Sequence, residues 1–225
     1  MLVLFDIDGI LVESPRGKFD YWKASIKKHF GLDASSKDVY MEGRTDRAIM
    51  KELLELKGIK NPEHDERFSA ALMDLGYILA SEMKNLTIDK ISGVEYLINR
   101  LLEEKQVIGL LTGNTPNKAR AKLEGCGFWK YFKIGAFGHE TMVRSELVPV
   151  AMKDAKDKTG IAFKKRDVFL IGDTVRDIRC AKEAGVKSIA VATGKESFEQ
   201  LEKEKPDYLF KDFSDVEKIV AVICK

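Results

Sequence analysis

From about Thr87 to the C-terminal end, short runs of continuously apolar residues alternate with segments that carry their apolar residues at helical spacing. The apolar runs are Val107 to Leu111, the stretch near Phe132 to Phe137, Val168 to Ile171, Ser188 to Ala192 and the stretch near Tyr208 to Phe210. Strands that lack polar alternation are covered on both faces, and strands joined through helices run parallel. The intervening patterns, Val94 to Glu104, Asn117 to Glu124, Leu147 to Lys158, Arg176 to Ala184, Ser197 to Lys203 and Ser214 to Ile223, therefore predict covering helices. One further apolar run, Leu2 to Phe5, stands more than eighty residues before its companions. From roughly Gly17 to Lys84 only helical stripes occur: Tyr21, Trp22, Ile26 and Phe30, then Ile49, Leu53, Leu54 and Leu56, then Phe68, Leu72, Leu75 and Leu79. The expected architecture is α/β, a Rossmann-like three-layer core with a mostly parallel sheet over 1–14 and 88–225. A small all-helical domain over 15–87 is inserted after the first strand.

In an open parallel sheet, ligands bind beyond the carboxyl ends of the strands. Three apolar runs end there in polar clusters. Asp6-Ile7-Asp8-Gly9 follows the first run, with Gly9 permitting a tight turn or a close ligand approach. Thr112-Gly113-Asn114 follows the second, and its donors suit an anion, as they also suit capping of the next helix by Asn114 or Thr115. Gly172-Asp173-Thr174 with Asp177 follows a third, where carboxylates also stabilise a helix N-terminus. Like charges about 4 Å apart repel by about 4 kcal/mol at an effective dielectric of 20, so converging carboxylates call for a cation. A hard ion with oxygen ligands fits, and Mg²⁺ suits a few carboxylates with a phosphate.

These motifs, in this order and with a helical insertion after the first, resemble the haloacid-dehalogenase-like superfamily, and most closely its phosphatases related to phosphoglycolate phosphatase. The resemblance implies that Asp6 is the nucleophile, carrying the phosphoryl group as an aspartyl-phosphate, and that Asp8 is the general acid and base. It implies that Thr112, Gly113 and Asn114 hold phosphoryl oxygens beside Gly9. Asp6, the carbonyl of Asp8 and Asp173 would bind Mg²⁺, with Asp177 a further carboxylate beside the ion or behind it. The family's third motif supplies a Lys before a Pro-containing helix start. This sequence has Val143-Arg144-Ser145-Glu146-Leu147-Val148-Pro149 there, so Arg144 takes the role, ahead of Lys118 and Lys153. Ile10 stands where the family often has Thr or Val. The insertion corresponds to the family's cap, and Glu42-Gly43-Arg44-Thr45-Asp46 resembles its specificity loop, which makes Arg44 and Thr45 candidate substrate contacts, Thr45 or Asp46 also capping the next helix. The presence of Asp8 favours phosphate chemistry over dehalogenation. A sugar-phosphate mutase on the same scaffold and a non-catalytic binding protein are the alternatives.

Composition narrows the partners. Among 225 residues, 38 Lys and Arg against 36 Asp and Glu leave a net charge of +2, too balanced for a general nucleic-acid binder. No apolar run approaches the roughly 18 residues that span a bilayer, and Met1 to Phe5 lacks the basic flank of a signal peptide. A cytoplasmic enzyme acting on a small phosphorylated metabolite is expected, with no nucleic acid and no membrane; monomer and homodimer are equally compatible. Cys126, Cys180 and Cys224 show no metal-ligand spacing and read as small buried hydrophobes with reduced thiols. Gly194-Lys195 lacks the upstream Gly of a phosphate loop, and His29, His64 and His139 form no metal pattern, His139 reading as a surface residue ahead of a minor substrate contact; Tyr21 and Trp22 read as core ahead of lining the cap entrance.

Overall fold

The computed structural model describes residues 1–14 and 19–225. The start of the insertion at residue 15, and Gly17, lie outside the described residues. Six parallel strands form one sheet in the order β3-β2-β1-β4-β5-β6: β1 (Leu2–Phe5), β2 (Val107–Thr112), β3 (Ile134–Phe137), β4 (Val168–Gly172), β5 (Lys187–Val191) and β6 (Tyr208–Phe210). The expected Phe132 start of β3 is displaced because Trp129–Tyr131 turns in a 3-10 helix and tucks Phe132 into the core.

Alternation along β1 divides its side chains between two apolar layers. Val3 and Phe5 pack with Val94, Leu97 and Leu101 of α4 (Val94–Glu103), Leu123 of α5 (Pro116–Gly125) and Ile219 of α9 (Val216–Ile223). Leu2 and Leu4 face Leu147 and Ala151 of α6 (Leu147–Thr159) and Ala181 of α7 (Val175–Ala184). That is the three-layer arrangement a doubly covered parallel sheet requires. A short α8 (Phe198–Lys203) precedes β6. Helix α9 starts two residues later than the hydrophobic pattern implied, because Asp215 acts as its N-cap and accepts from the Lys218 amide.

The insertion builds its own apolar cluster from α1 (Tyr21–Phe30), α2 (Asp46–Leu56) and α3 (Glu66–Glu82), with Trp22, Ile26, Leu53, Phe68 and Leu75 buried together. Its two connections to the core run side by side: Glu13 N–H donates to the Asp89 carbonyl and Ile91 N–H to the Leu11 carbonyl. Helix α3 lies so close to α5 that a Cβ on Gly76 would overlap the backbone of Asn117 and Lys118. Of the cysteines only Cys180 is buried. Cys126 is partly exposed, and Cys224, one position past the end of α9, is exposed, contrary to the expectation for both.

Candidate active site

The strand order reverses at β1, since β2 and β3 extend from one side of it and β4, β5 and β6 from the other. Phe5 pairs in register with Leu110 on one side and Ile171 on the other. The chain beyond each strand therefore brings Asp6, Thr112 and Asp173 to one crevice at the sheet's carboxyl edge, the position where such sheets bind ligands. The crevice opens into a cavity of about 550 Å³ that Asp6, Asp8, Thr112, Asn114 and Arg144 share with Tyr21, Trp22 and the Gly43-Arg44 turn of the insertion.

Ligand oxygens of Asp6, Asp173 and Asp177 lie within 4.8 Å of one another, all three residues buried. Arg144, just ahead of α6, meets two of them: its Nη2 is 3.1 Å from Asp6 Oδ1 and 2.6 Å from Asp177 Oδ1. Asp177 is also the acidic half of a capping box at the start of α7, accepting from the Thr174 amide at 3.1 Å and the Thr174 hydroxyl at 2.6 Å. The helix-capping and site roles of Asp177 thus coexist, and its oxygens are already engaged. Asp173 differs: its Oδ1 is buried and has no hydrogen-bond partner. A Cβ on Gly9 or Gly194 would overlap the Asp173 carboxylate, so both glycines are needed for that approach.

One guanidinium against three buried carboxylates leaves an uncompensated negative charge. Burial, partly offset by Arg144 and reinforced by Asp177 and Asp8, raises Asp6 to about 6. Burial and the neighbouring Asp177, Asp6 and Asp8 push Asp173 well above the usual carboxylate range. Buried charge without partners is costly, and an all-oxygen cluster with an orphaned carboxylate oxygen fits a hard divalent cation.

Asp8 sits in a different environment. Lys122 Nζ lies 2.7 Å and 2.6 Å from its two oxygens, and Asn114 Nδ2 donates to Oδ2 at 2.8 Å. Burial raises this carboxyl, but the Lys122 and Lys118 charges and the hydrogen bonds outweigh it and hold Asp8 below its ordinary value. Thr112 Oγ1 accepts from the Asn114 amide at 3.2 Å and from Asn114 Nδ2 at 2.8 Å. With both lone pairs used, its hydroxyl proton is left to donate into the cavity.

Neither Asn114 nor Thr115 caps α5 through its side chain. The Thr115 N–H instead donates at 2.7 Å to Asp46 of the insertion, which also pairs with Lys118 at 2.7 Å, both residues buried. Thr45 is the side chain that caps α2. The Arg44 guanidinium turns to Glu52 at 2.5 Å and to the Tyr40 carbonyl at 2.9 Å, while the Arg44 carbonyl abuts Gly113. Lys153 pairs with exposed Asp157 on α6. Lys195 pairs with Glu42 at the cavity rim. Trp22 is both core and cavity wall. His139 is half-buried, and burial lowers its pKa.

Sequence reasoning missed Lys122 and the Asp46–Lys118 pair. The available signal was the four-residue spacing of Lys118 and Lys122, which places them on one face of a helix that begins at the site.

The profile of the family described as "Haloacid dehalogenase-like hydrolase" matches residues 3–191. A "Phosphoglycolate phosphatase" of Vibrio parahaemolyticus is 25% identical, over 98% of this chain and 96% of its own. A "Probable phosphatase IndB" of Dickeya dadantii is 25% identical, over 96% and 91%. A crystal structure of a hydrolase from Pseudomonas syringae shares the fold with a TM-score of 0.67 at 17% identity, covering 99% of both chains. Among the described residues no helix is long and apolar enough to cross a membrane.

Proposed function

Because the chain belongs to the haloacid-dehalogenase-like hydrolases and is a phosphoric monoester hydrolase, we propose that it hydrolyses small phosphorylated metabolites in a Mg²⁺-dependent reaction in which Asp6 takes the phosphoryl group. The observation that carries this reading is the buried Asp173 oxygen without a donor, beside Asp6. Asp6, the Asp8 carbonyl and Asp173 would hold the cation, with Asp177 fixing Arg144 behind them. When bound, the cation neutralises the charge that otherwise keeps an anionic ester from an anionic nucleophile.

An Asp6 oxygen attacks phosphorus, the ester bond breaks, and Asp8 gives its proton to the departing oxygen, acting from its protonated form, which the neighbouring Lys122 and Lys118 charges make the minor one. Asp8, now ionised, takes a proton from water. That water attacks phosphorus, and the bond to Asp6 breaks to release inorganic phosphate. Thr112, the amides of Gly113 and Asn114, and Arg144 hold the phosphoryl oxygens in line, since positioning and charge neutralisation supply most of the catalysis in phosphoryl transfer. The Gly9 turn lets the backbone approach. Under the insertion, Tyr21, Trp22 and the Gly43-Arg44 turn enclose the leaving group, while Thr45, buried as the cap of α2, does not line the cavity. Arg44 reaches an anionic leaving group only by leaving Glu52. The placement is that of a cytoplasmic enzyme whose partner is a small molecule.

The test is phosphate release from a panel of phosphorylated metabolites. Hydrolysis is expected with Mg²⁺ and is expected to stop on chelation. Asp6→Asn is expected to lose at least about a thousandfold in turnover, as removal of a nucleophile does, while keeping a cooperative melting transition no lower than that of the metal-free parent. Near-normal turnover by Asp6→Asn overturns the mechanism.

A further inference from the structure

The ammonium of Lys122 is buried at the cavity wall, and the mechanism above gives it no task. Its three hydrogens have three acceptors: Asp8 Oδ1 at 2.7 Å, Asp8 Oδ2 at 2.6 Å and Asn114 Oδ1 at 2.9 Å. An ammonium offers three donors and no more, so nothing remains for a substrate oxygen. The bond to Asn114 Oδ1 also fixes which way that amide faces, and so aims Nδ2 at both Asp8 Oδ2 and Thr112 Oγ1. Lys122, Asp8, Asn114 and Thr112 thereby form one connected network.

We propose that Lys122 is a positioning residue for Asp8: with Asn114 it fixes the plane of the Asp8 carboxylate relative to the phosphoryl-holding Thr112. A short carboxylate is otherwise free to turn about its last bond. The clamp leaves the Asp8 side chain 24% exposed toward the cavity, while the Lys122 side chain is 3% exposed. Packing alone does not require a lysine there, because the neighbouring Ala119 and Leu123 already supply the face of α5 that enters the apolar core. The inference rests on the proposed acid–base role of Asp8.

A misplaced acid harms esters whose leaving oxygen needs a proton and spares those whose leaving group departs as a stable anion. For Lys122→Met, kcat/KM on glycerol 2-phosphate is expected to fall about 100-fold, the scale of a misplaced catalytic group. On 4-nitrophenyl phosphate the fall is expected to stay under about fivefold, because proton transfer contributes little to a leaving group of low basicity. In an Asp8→Asn background, Lys122→Met is expected to add less than about twofold, as groups acting as one unit are non-additive. Lys122→Gln, which keeps two donors, supports the same comparison if the Met variant fails to fold. Equal losses on the two esters, additivity with Asp8→Asn, or a raised KM at unchanged kcat overturns the proposal. Retained turnover on glycerol 2-phosphate in Asp8→Asn overturns instead the reading on which it rests, so the two failures are distinguishable.

Discussion

Replacing Asp46 by Ala removes the carboxylate that joins α2 of the insertion to the start of α5. Lys118 Nζ lies 2.7 Å from this carboxylate, and both residues are almost fully buried. At an effective dielectric of 20 the pair's Coulomb attraction is about 6 kcal/mol, much of it offset by the cost of desolvating two ions. Removing one partner strands the other, which costs about 3–5 kcal/mol. A ceiling exists, because Lys118 can release its proton instead. Deprotonating a lysine of ordinary pKa about 10.4 at pH 7 costs about 4.6 kcal/mol. The buried Thr115 N–H also loses its acceptor, adding about 1 kcal/mol. Urea denaturation at pH 7 is therefore expected to show Asp46→Ala destabilised by about 5 kcal/mol. Asp46→Asn, which keeps an acceptor for Thr115, is expected to lose about 1 kcal/mol less. The double variant Asp46→Leu/Lys118→Met, which leaves no stranded charge, is expected to recover most of the deficit.

The sign of the pH dependence adds a second check. Burial works to lower the Lys118 pKa, but Asp46, Tyr21 and Asp8 overcome it and raise the pKa above its ordinary value. The wild-type pair therefore stabilises fully below the ordinary lysine value and fades as pH rises through the raised one. In Asp46→Ala, burial is unopposed by Asp46 and the folded pKa falls. The unfolded chain then binds more protons, and the deficit shrinks as pH rises from 7 toward 10. A loss below about 1.5 kcal/mol, against the 3–5 kcal/mol of a broken buried pair, refutes the reasoning. So does a deficit that grows with pH.

The acidic cluster predicts a reversed acid response. Asp6, raised to about 6 by burial, binds more protons folded than unfolded, so chelator-treated protein is expected to melt higher at pH 5 than at pH 7, and saturating Mg²⁺ is expected to abolish that difference. A melting temperature that falls over that interval in chelator contradicts the assignment. Asp173→Asn removes one negative charge from the cluster, and isothermal titration calorimetry with Mg²⁺ alone is expected to show affinity reduced at least about tenfold, the scale of losing a ligand contact. Unchanged affinity places the cation elsewhere.

What the linear chain fixes by itself is the local alternation of residues. Continuously apolar runs such as Leu2–Phe5 and Val168–Ile171, too short for helices of their own, fit strands covered on both faces, and the helical stripes between them supply the covers. The acidic and hydroxyl residues at strand ends then reach a common edge as soon as the strands are parallel, which is why Asp6, Thr112 and Asp173 are legible in the sequence itself. Tertiary structure alone decided which charges meet across long separations. Lys122 and Asp8 are 114 positions apart, and Lys118 and Asp46 are 72. Periodicity along α5 says which lysines share a face, but not whether that face meets a carboxylate, core or water. Arg44, read as a candidate for an anionic leaving group, is held by Glu52 two helical turns along α2, because local geometry offered it a nearer carboxylate. Sequence pattern resolves which face a residue occupies. The partner opposite that face is set by how the layers pack, through distances that no spacing along the chain encodes.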